Sequence, residues 1–288
     1  MGLGCLPWYK TARAASLDQC PVALFSKVYQ ELQLDFDASA EVTAEAGLDG
    51  IDCPVRPGGQ VLPERAAEDL PRYADALARR KVRLLLLTTG ILNPKTPHAE
   101  SILRTARQLG VTHYRLGYWS YKQYASREKL QSEVRAQLKD LAALNRELGM
   151  CGVYQNHSGR ENFGALVSDI REAITDLDPR EIGLAFDPSH AFIELGSDWN
   201  SELERCRRHV QLAYVKDVNT SHRFVKFGDG ILGGSGWFTW LKKAGYNRPI
   251  SMHTEYHWAP PGFHKTRDRL VKALRADRTL LRTWIQSA

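Results

Sequence analysis

Three short segments in the second half of the chain concentrate groups that can do chemistry. YQNHSG (154–159) carries Gln155, Asn156 and His157; FDPSHA (186–191) carries Asp187 and His190; MHTEYH (252–257) carries His253, Glu255 and His257. Carboxylates and imidazoles brought together from neighbouring strands suit a divalent ion with a position left open for substrate oxygens. The same carboxylates could move protons next to a carbonyl. Each group also has a plainer use. Asp187 and Glu255 could form a buried salt bridge, and His190 could brace a loop. His253 alternates with Glu255 and shares its strand face, where a satisfied core histidine would also sit. Lys27 and Lys216 could hold a substrate carboxylate, phosphate or oxyanion, or pair with Asp52 or Asp217; Arg56 and Arg115 carry the same ambiguity. Tyr118, Trp119, Tyr121, Tyr256 and Trp258 offer rings for stacking on a sugar, or core packing. His222, His257 and His264 read as loop or surface groups.

The elements that must position these residues alternate along the chain. Apolar runs begin at Val22, Gly50, Val82, Tyr114, Cys151, Ile182, Val210 and Ile250, and most lack polar alternation, as parallel strands covered on both faces do. Helical patterns lie between them. Thr96-Pro97 reads as an N-cap with proline in the first turn and Gly110 as that helix's stop; Ser126 to Gly149 and Ser235 to Gly245 are similarly bounded, and Pro71 predicts a break within 63–80. Polar residues near the strand ends (Lys27, Asp52, Thr88, Arg115, Gln155, Asp187, Asp217, Glu255) are spaced by 25 to 40 residues, one βα unit each. The expectation is an α/β fold, a single (β/α)₈ barrel, whose strand ends converge on one mouth. A doubly wound sheet would place a glycine-rich turn after its first strand, where this chain reads FSKVYQ; GGSG at 233–236 fits a loop and helix cap.

With these motifs in place, the chain from Val22 to its C-terminal helix resembles the xylose isomerase-like TIM barrels, the sugar phosphate isomerase/epimerase group. AEAGLDGIDCPVRPGG resembles the group's second strand and loop, FDPSHA its D-x-x-H motif, AYVKD its strand-seven H-x-K-D pattern, KFGDGIL the loop that follows, and SMHTE its final glutamate strand. The resemblance implies a metal set of Glu, Asp, His and Glu from strands five to eight. Asp187 and Glu255 match it, Gln155 replaces a glutamate and Tyr214 replaces the histidine. What remains, Gln155, Asp187 and Glu255, implies a weak site for a hard ion, Mn²⁺ or Mg²⁺, or none. It further implies a sugar or keto-sugar isomerase or epimerase, with Glu255 as a one-sided base, since an amide does not titrate. His190 is its partner at the substrate oxygen, and Lys27, Arg115, Gln155, His157, Lys216 and His253 are substrate contacts, some of which could supply the second proton transfer. A metal-free sugar-binding barrel and a keto-glycoside eliminase remain alternatives. An abasic-DNA endonuclease on the same barrel would need a denser set of metal-binding side chains.

Composition narrows the rest. The 288 residues are 43% hydrophobic and 25% charged with a formal net charge of +6, an ordinary globular mix. The basic C-terminal stretch interleaves with leucines and reads as a solvated helix face, so neither nucleic acid nor membrane is an expected partner; a small-molecule sugar is, and a homodimer is left open. The five cysteines form no CxxC pair. Residues 1–20, with Ala12-Arg13-Ala14, read either as the remnant of an export signal on a periplasmic protein or as a leader on a cytoplasmic one. The barrel is expected over 21–288.

Overall fold

The structure, a computed structural model, describes residues 16–288. Eight parallel strands close into one barrel: β1 (Val22–Phe25), β2 (Gly50–Val55), β3 (Arg83–Thr89), β4 (His113–Arg115), β5 (Cys151–Gln155), β6 (Ile182–Phe186), β7 (Val210–Val215) and β8 (Ile250–Met252). Closure is made by β1 pairing with β8, Val22 opposite Ile250. The expected strands thus stand in the expected order. They are short apolar runs because both faces are covered. Ala23, Leu86, Cys151, Val153, Ala185, Leu212 and Tyr214 fill the barrel interior, and the larger cluster packs the strands' outer faces against the helices.

Helix ends follow local chemistry with two exceptions. Ser126 Oγ accepts from Lys129 N–H at the start of the helix Arg127–Leu148, which stops at Gly149 with φ +63°. The helix after β3 starts at Ala99 rather than at Pro97, because the Thr96 hydroxyl is spent inside the preceding loop, accepting from the N–H groups of Leu92 and Asn93. Pro71 does not break its helix, which runs unbroken over Ala66–Arg79. Leu70, Tyr73, Ala76 and Leu77 are buried along one face, and that burial offsets the ~3 kcal/mol or more that an interior proline costs.

After β7 the chain makes a small hairpin, Asp217–Val218 against Phe224–Val225, followed by a loop tied to Asp217. The Asp217 carboxylate accepts from the backbone N–H groups of Gly228, Gly230 and Leu232 at 2.9–3.1 Å. A Cβ at Gly230 would lie 2.3 Å from Asp217 Oδ1, so only glycine fits. At the N-terminal end, Leu17 and Cys20 are buried, and Arg282 of the last helix bonds the carbonyls of Asp18 and Cys20. The A-x-A pattern at 12–14 lies outside the described residues. The cysteines among the described residues are buried and unpaired, and no helix there is long and apolar enough to cross a membrane.

Candidate active site

The site is assembled at the C-terminal ends of the strands by a set of mutual hydrogen bonds. Asn156, just past β5, and Asp187, just past β6, exchange two bonds: Asn156 Nδ2 donates to the Asp187 carbonyl and Asp187 N–H donates to Asn156 Oδ1, both at 2.8 Å. Asp187 also caps the helix Pro188–Leu195, its Oδ1 accepting from the N–H groups of Ser189 and His190. Its other oxygen faces the barrel axis. There Gln155 Nε2 donates to Oδ2 at 2.9 Å, and the Lys216 ammonium lies 3.4 Å away.

Lys216 is the centre of this arrangement. It extends from the end of β7 with 2% of its side chain exposed and donates to Glu255 Oε2 at 2.5 Å and to His190 Nε2 at 3.0 Å. Burial would lower its pKa, but the charges of Asp187 and Glu255 outweigh that and raise it, so the ammonium persists. An ammonium only donates, so His190 Nε2 is an acceptor, and Nδ1–H must donate to Ser158 Oγ at 2.8 Å. His190 is neutral: burial, reinforced by the Lys216 charge, holds it at about 3. Burial would raise Asp187, but the Lys216 charge, with the backbone N–H of His190, brings it to about 2. Glu255, about a quarter exposed, is likewise held well below the usual carboxylate range, the Lys216 charge outweighing burial.

Glu255 and Lys216 line a polar cavity of about 120 Å³ with Phe25, Lys27, Arg56, Arg115, Tyr118, Gln155, His157 and His253. Tyr118 OH donates to Gln155 Oε1 at 2.5 Å, its ring lying under the Arg115 guanidinium at 4.5 Å. His253 is stacked on Phe25 and held by Ser251, whose hydroxyl donates to Asp52. With that hydrogen spent, His253 Nε2–H donates to Ser251 and Nδ1 is left as an acceptor without a partner. Burial keeps His253 at about 3 and also pulls His157 down, so both are neutral. A second space of about 330 Å³ shares Phe25, Lys27, His157 and Glu255 with the first and is also lined by Glu31, Phe224 and Tyr256.

The sequence profile of the xylose isomerase-like TIM barrels matches residues 40–280. The chain belongs to that family. Solved structures of similar fold include 3-keto-D-glucoside 4-epimerase from E. coli (TM-score 0.69, 14% identity, covering 91% of this chain and 100% of that one). D-psicose 3-epimerase from Clostridium cellulolyticum H10, solved with D-tagatose, follows at 0.64 and 12%, covering 88% and 94%. A xylose isomerase-like TIM barrel protein from Mycobacterium smegmatis in complex with magnesium gives 0.68 and 12%, covering 94% and 99%. At such identity the likeness is one of fold. Among curated protein sequences none matches.

Placed on this member of the xylose isomerase-like family, the expected ligand set does not fit a divalent ion. Gln155, Asp187 and Glu255 do converge, but around the Lys216 ammonium, which bonds one carboxylate and lies against the other. The Gln155 carbonyl, the oxygen a cation would need, accepts from Tyr118; an ionised Asp187 can only accept, so it must face the NH₂ end of the amide. Tyr214 lies in the barrel's interior layer against His253 at 4.6 Å, and its hydroxyl finds no hydrogen-bond partner among the described residues. No group of three or more His, Cys, Asp or Glu side chains among the described residues is arranged to hold a metal.

Other expectations are refined in the same way. Lys216 pairs with Asp187 and Glu255, not with Asp217, whose carboxylate is used by the glycine loop. His190 sits behind Lys216 with both ring nitrogens engaged, Nε2 by the ammonium and Nδ1–H by Ser158. Asp52 is buried inside the barrel, bonded to Thr88 and Ser251 and raised by burial, and is not a partner for Lys27. Trp119 is core, while Tyr121 bonds Asp169 away from the cavity.

One residue that no motif singled out is Asp277, on the basic C-terminal helix Arg267–Gln286. It is 1% exposed and accepts from Thr254 Oγ1 at 3.1 Å and Tyr256 OH at 2.9 Å, the neighbours of Glu255 on either side. The last helix therefore clamps the segment that carries Glu255. Burial raises Asp277 from 3.8 to about 6. A carboxyl whose folded pKa lies above its unfolded value favours the folded state when protonated, so stability falls as pH rises from about 4 to about 6. The two-unit span corresponds to ~3 kcal/mol. Urea unfolding of Asp277→Asn should lack that decline; an unchanged profile would place its origin elsewhere.

Proposed function

We propose that the protein transfers a proton next to the carbonyl of a sugar or keto-sugar, in the isomerase or epimerase class, without a resident metal. The observation that carries this reading is Glu255. It is an ionised carboxylate at the barrel mouth with one oxygen held by Lys216 and the other free, opening onto a cavity of neutral imidazole acceptors and unspent cations. Glu255 would take the proton alpha to the carbonyl. The negative charge that gathers on the substrate oxygen would meet the preorganised field of Lys216 and Arg115. His253 Nδ1 and the face of His157 would receive hydroxyl groups, and Phe25 would meet an apolar sugar face.

A single titrating carboxylate favours delivering the proton, on the face it left, to the adjacent carbon that was the carbonyl, while the hydroxyl proton passes to the neighbouring oxygen, which is isomerisation. Epimerisation needs a second acid on the opposite face, and Gln155 is not one. The epimerase neighbours and the family membership support the general chemistry, and the lysine-centred cluster supports its metal independence. Calorimetric titration with Mn²⁺ should give no binding to the native protein. Restoring Gln155→Glu and Tyr214→His should not suffice while Lys216 remains; adding Lys216→Met should produce binding. Micromolar Mn²⁺ affinity of the native protein would overturn the metal-independent reading.

A second reading, a catalytically silent sugar-binding barrel, is favoured by one feature: the Lys216 ammonium bonds Glu255 and His190 and lies against Asp187, all protein groups, which stiffens the site. Exchange of the substrate's alpha proton with deuterated solvent, followed by NMR over a panel of neutral and acidic keto-sugars, separates the two. Exchange supports the proton-transfer reading, and binding without exchange supports the other.

A further inference from the structure

We infer that the substrate of this site carries an oxyanion, a carboxylate or a phosphate, received by Arg115, Arg56 and Lys27; the inference rests on the proposed site but not on its catalysing a reaction. Arg115 ends β4 and is 3% exposed, yet none of its side-chain N–H groups bonds to a described residue, and its Nη1 is buried without a partner. A guanidinium removed from water with its donors unspent is costly to maintain unless a ligand completes it. Its face is covered by Tyr118, which leaves the edge donors for a planar or tetrahedral anion.

The charge inventory points the same way. Lys27, Arg56, Arg115 and Lys216 line the cavity, and only Lys216 is matched by carboxylates. Arg56 lies over the Phe25 ring at 5.9 Å and has no carboxylate within salt-bridge distance among the described residues. Burial and the nearby Arg115 charge both make its own charge harder to hold. The obvious internal counter-ion, Asp52, has its oxygens committed to Thr88 and Ser251 and forms no salt bridge with Arg115. Lys27, exposed at the mouth, adds a flexible third donor.

Calorimetry at low ionic strength with D-fructose, D-glucuronate and D-fructose 6-phosphate tests this directly. At least one anionic sugar should bind ~10–100-fold more tightly than neutral D-fructose, the range for a charge-assisted contact. Preference for the glucuronate identifies a carboxylate, and preference for the fructose phosphate identifies a phosphate. Arg115→Met should abolish the preference, bringing the affinity of the anionic sugar down to that of D-fructose measured in the same variant. If Arg115→Met fails to fold, Arg56→Gln, at a half-exposed position, should reduce the preference several-fold. Equal binding of neutral and anionic sugars, a preference unmoved by either variant, or no binding of either anion at millimolar concentration would overturn the inference. Alpha-proton exchange confined to neutral keto-sugars would remove the anion and leave the proton-transfer reading standing. Anion binding without exchange would do the reverse.

Discussion

Glu255→Gln is expected to lower the rate of alpha-proton exchange by about 10²–10⁴-fold, the contribution typical of a positioned base, with folding preserved. The substitution keeps the shape of the side chain and an oxygen that can still accept from Lys216, and Asp187 remains as counter-charge. What it removes is, among the described residues, the only carboxylate lining the cavity, ionised and with one oxygen free. Loss confined to turnover, with KM little changed, is the signature of an interaction made in the transition state. The pH profile of the native protein adds a second check. Lys216 keeps Glu255 below the usual carboxylate range, so the base stays ionised as pH falls from 8 to 5, and no acidic limb from this group should appear in that window. Exchange by the variant at the native rate would remove Glu255 from the role.

Most of the barrel was legible because parallel strands announce themselves twice, as short runs apolar on both faces and as regular spacing. Six of the runs, those beginning at Val22, Gly50, Cys151, Ile182, Val210 and Ile250, coincide with observed strands from their first residue. The exceptions are local. Thr96 can cap a helix or tie a loop, and the sequence does not say which; Pro71 is held in its helix by a buried face that only packing reveals. For the site, strand-end polarity brought Gln155, Asp187 and Glu255 to one mouth, but it named Asp217 and not Lys216 at the end of β7, and residue type could not say what sits between the carboxylates. An ion-pair reading and a metal reading of Asp187 and Glu255 use the same residues. The tether length of Lys216, which lets its ammonium reach between them, is a three-dimensional fact. Asp277 was invisible for a related reason: it stands in a run of arginines and leucines, and its function comes from the strand-end segment its helix happens to cross.

The largest stability effect should come from Lys216→Met. Methionine fills similar volume and packs well in an apolar setting, so the main loss is the charge. Removing it leaves Asp187, with no exposed surface, facing Glu255 and the neutral His190 with no cation between them. Breaking a buried pair by deleting one partner typically costs about 3–5 kcal/mol, because the uncompensated charge remains. The pH dependence distinguishes this cause from a packing defect. In the native protein Asp187 sits at about 2, below its unfolded value, so its favourable contribution is complete above ordinary carboxylate pKa values and is lost as pH falls through the folded one. Without Lys216, burial is no longer opposed, the folded pKa rises, and protonation relieves the strain on the folded state. Urea unfolding should therefore show the widest gap between native and variant near neutral pH, narrowing on acidification. Neutralising both carboxyls in the same background, Asp187→Asn with Glu255→Gln, should recover much of the loss at pH 7, since no unpaired charge is then buried. A gap that stays constant with pH, or that the double neutralisation leaves untouched, would show that Lys216 matters for its packing and not as the cation that holds these side chains together.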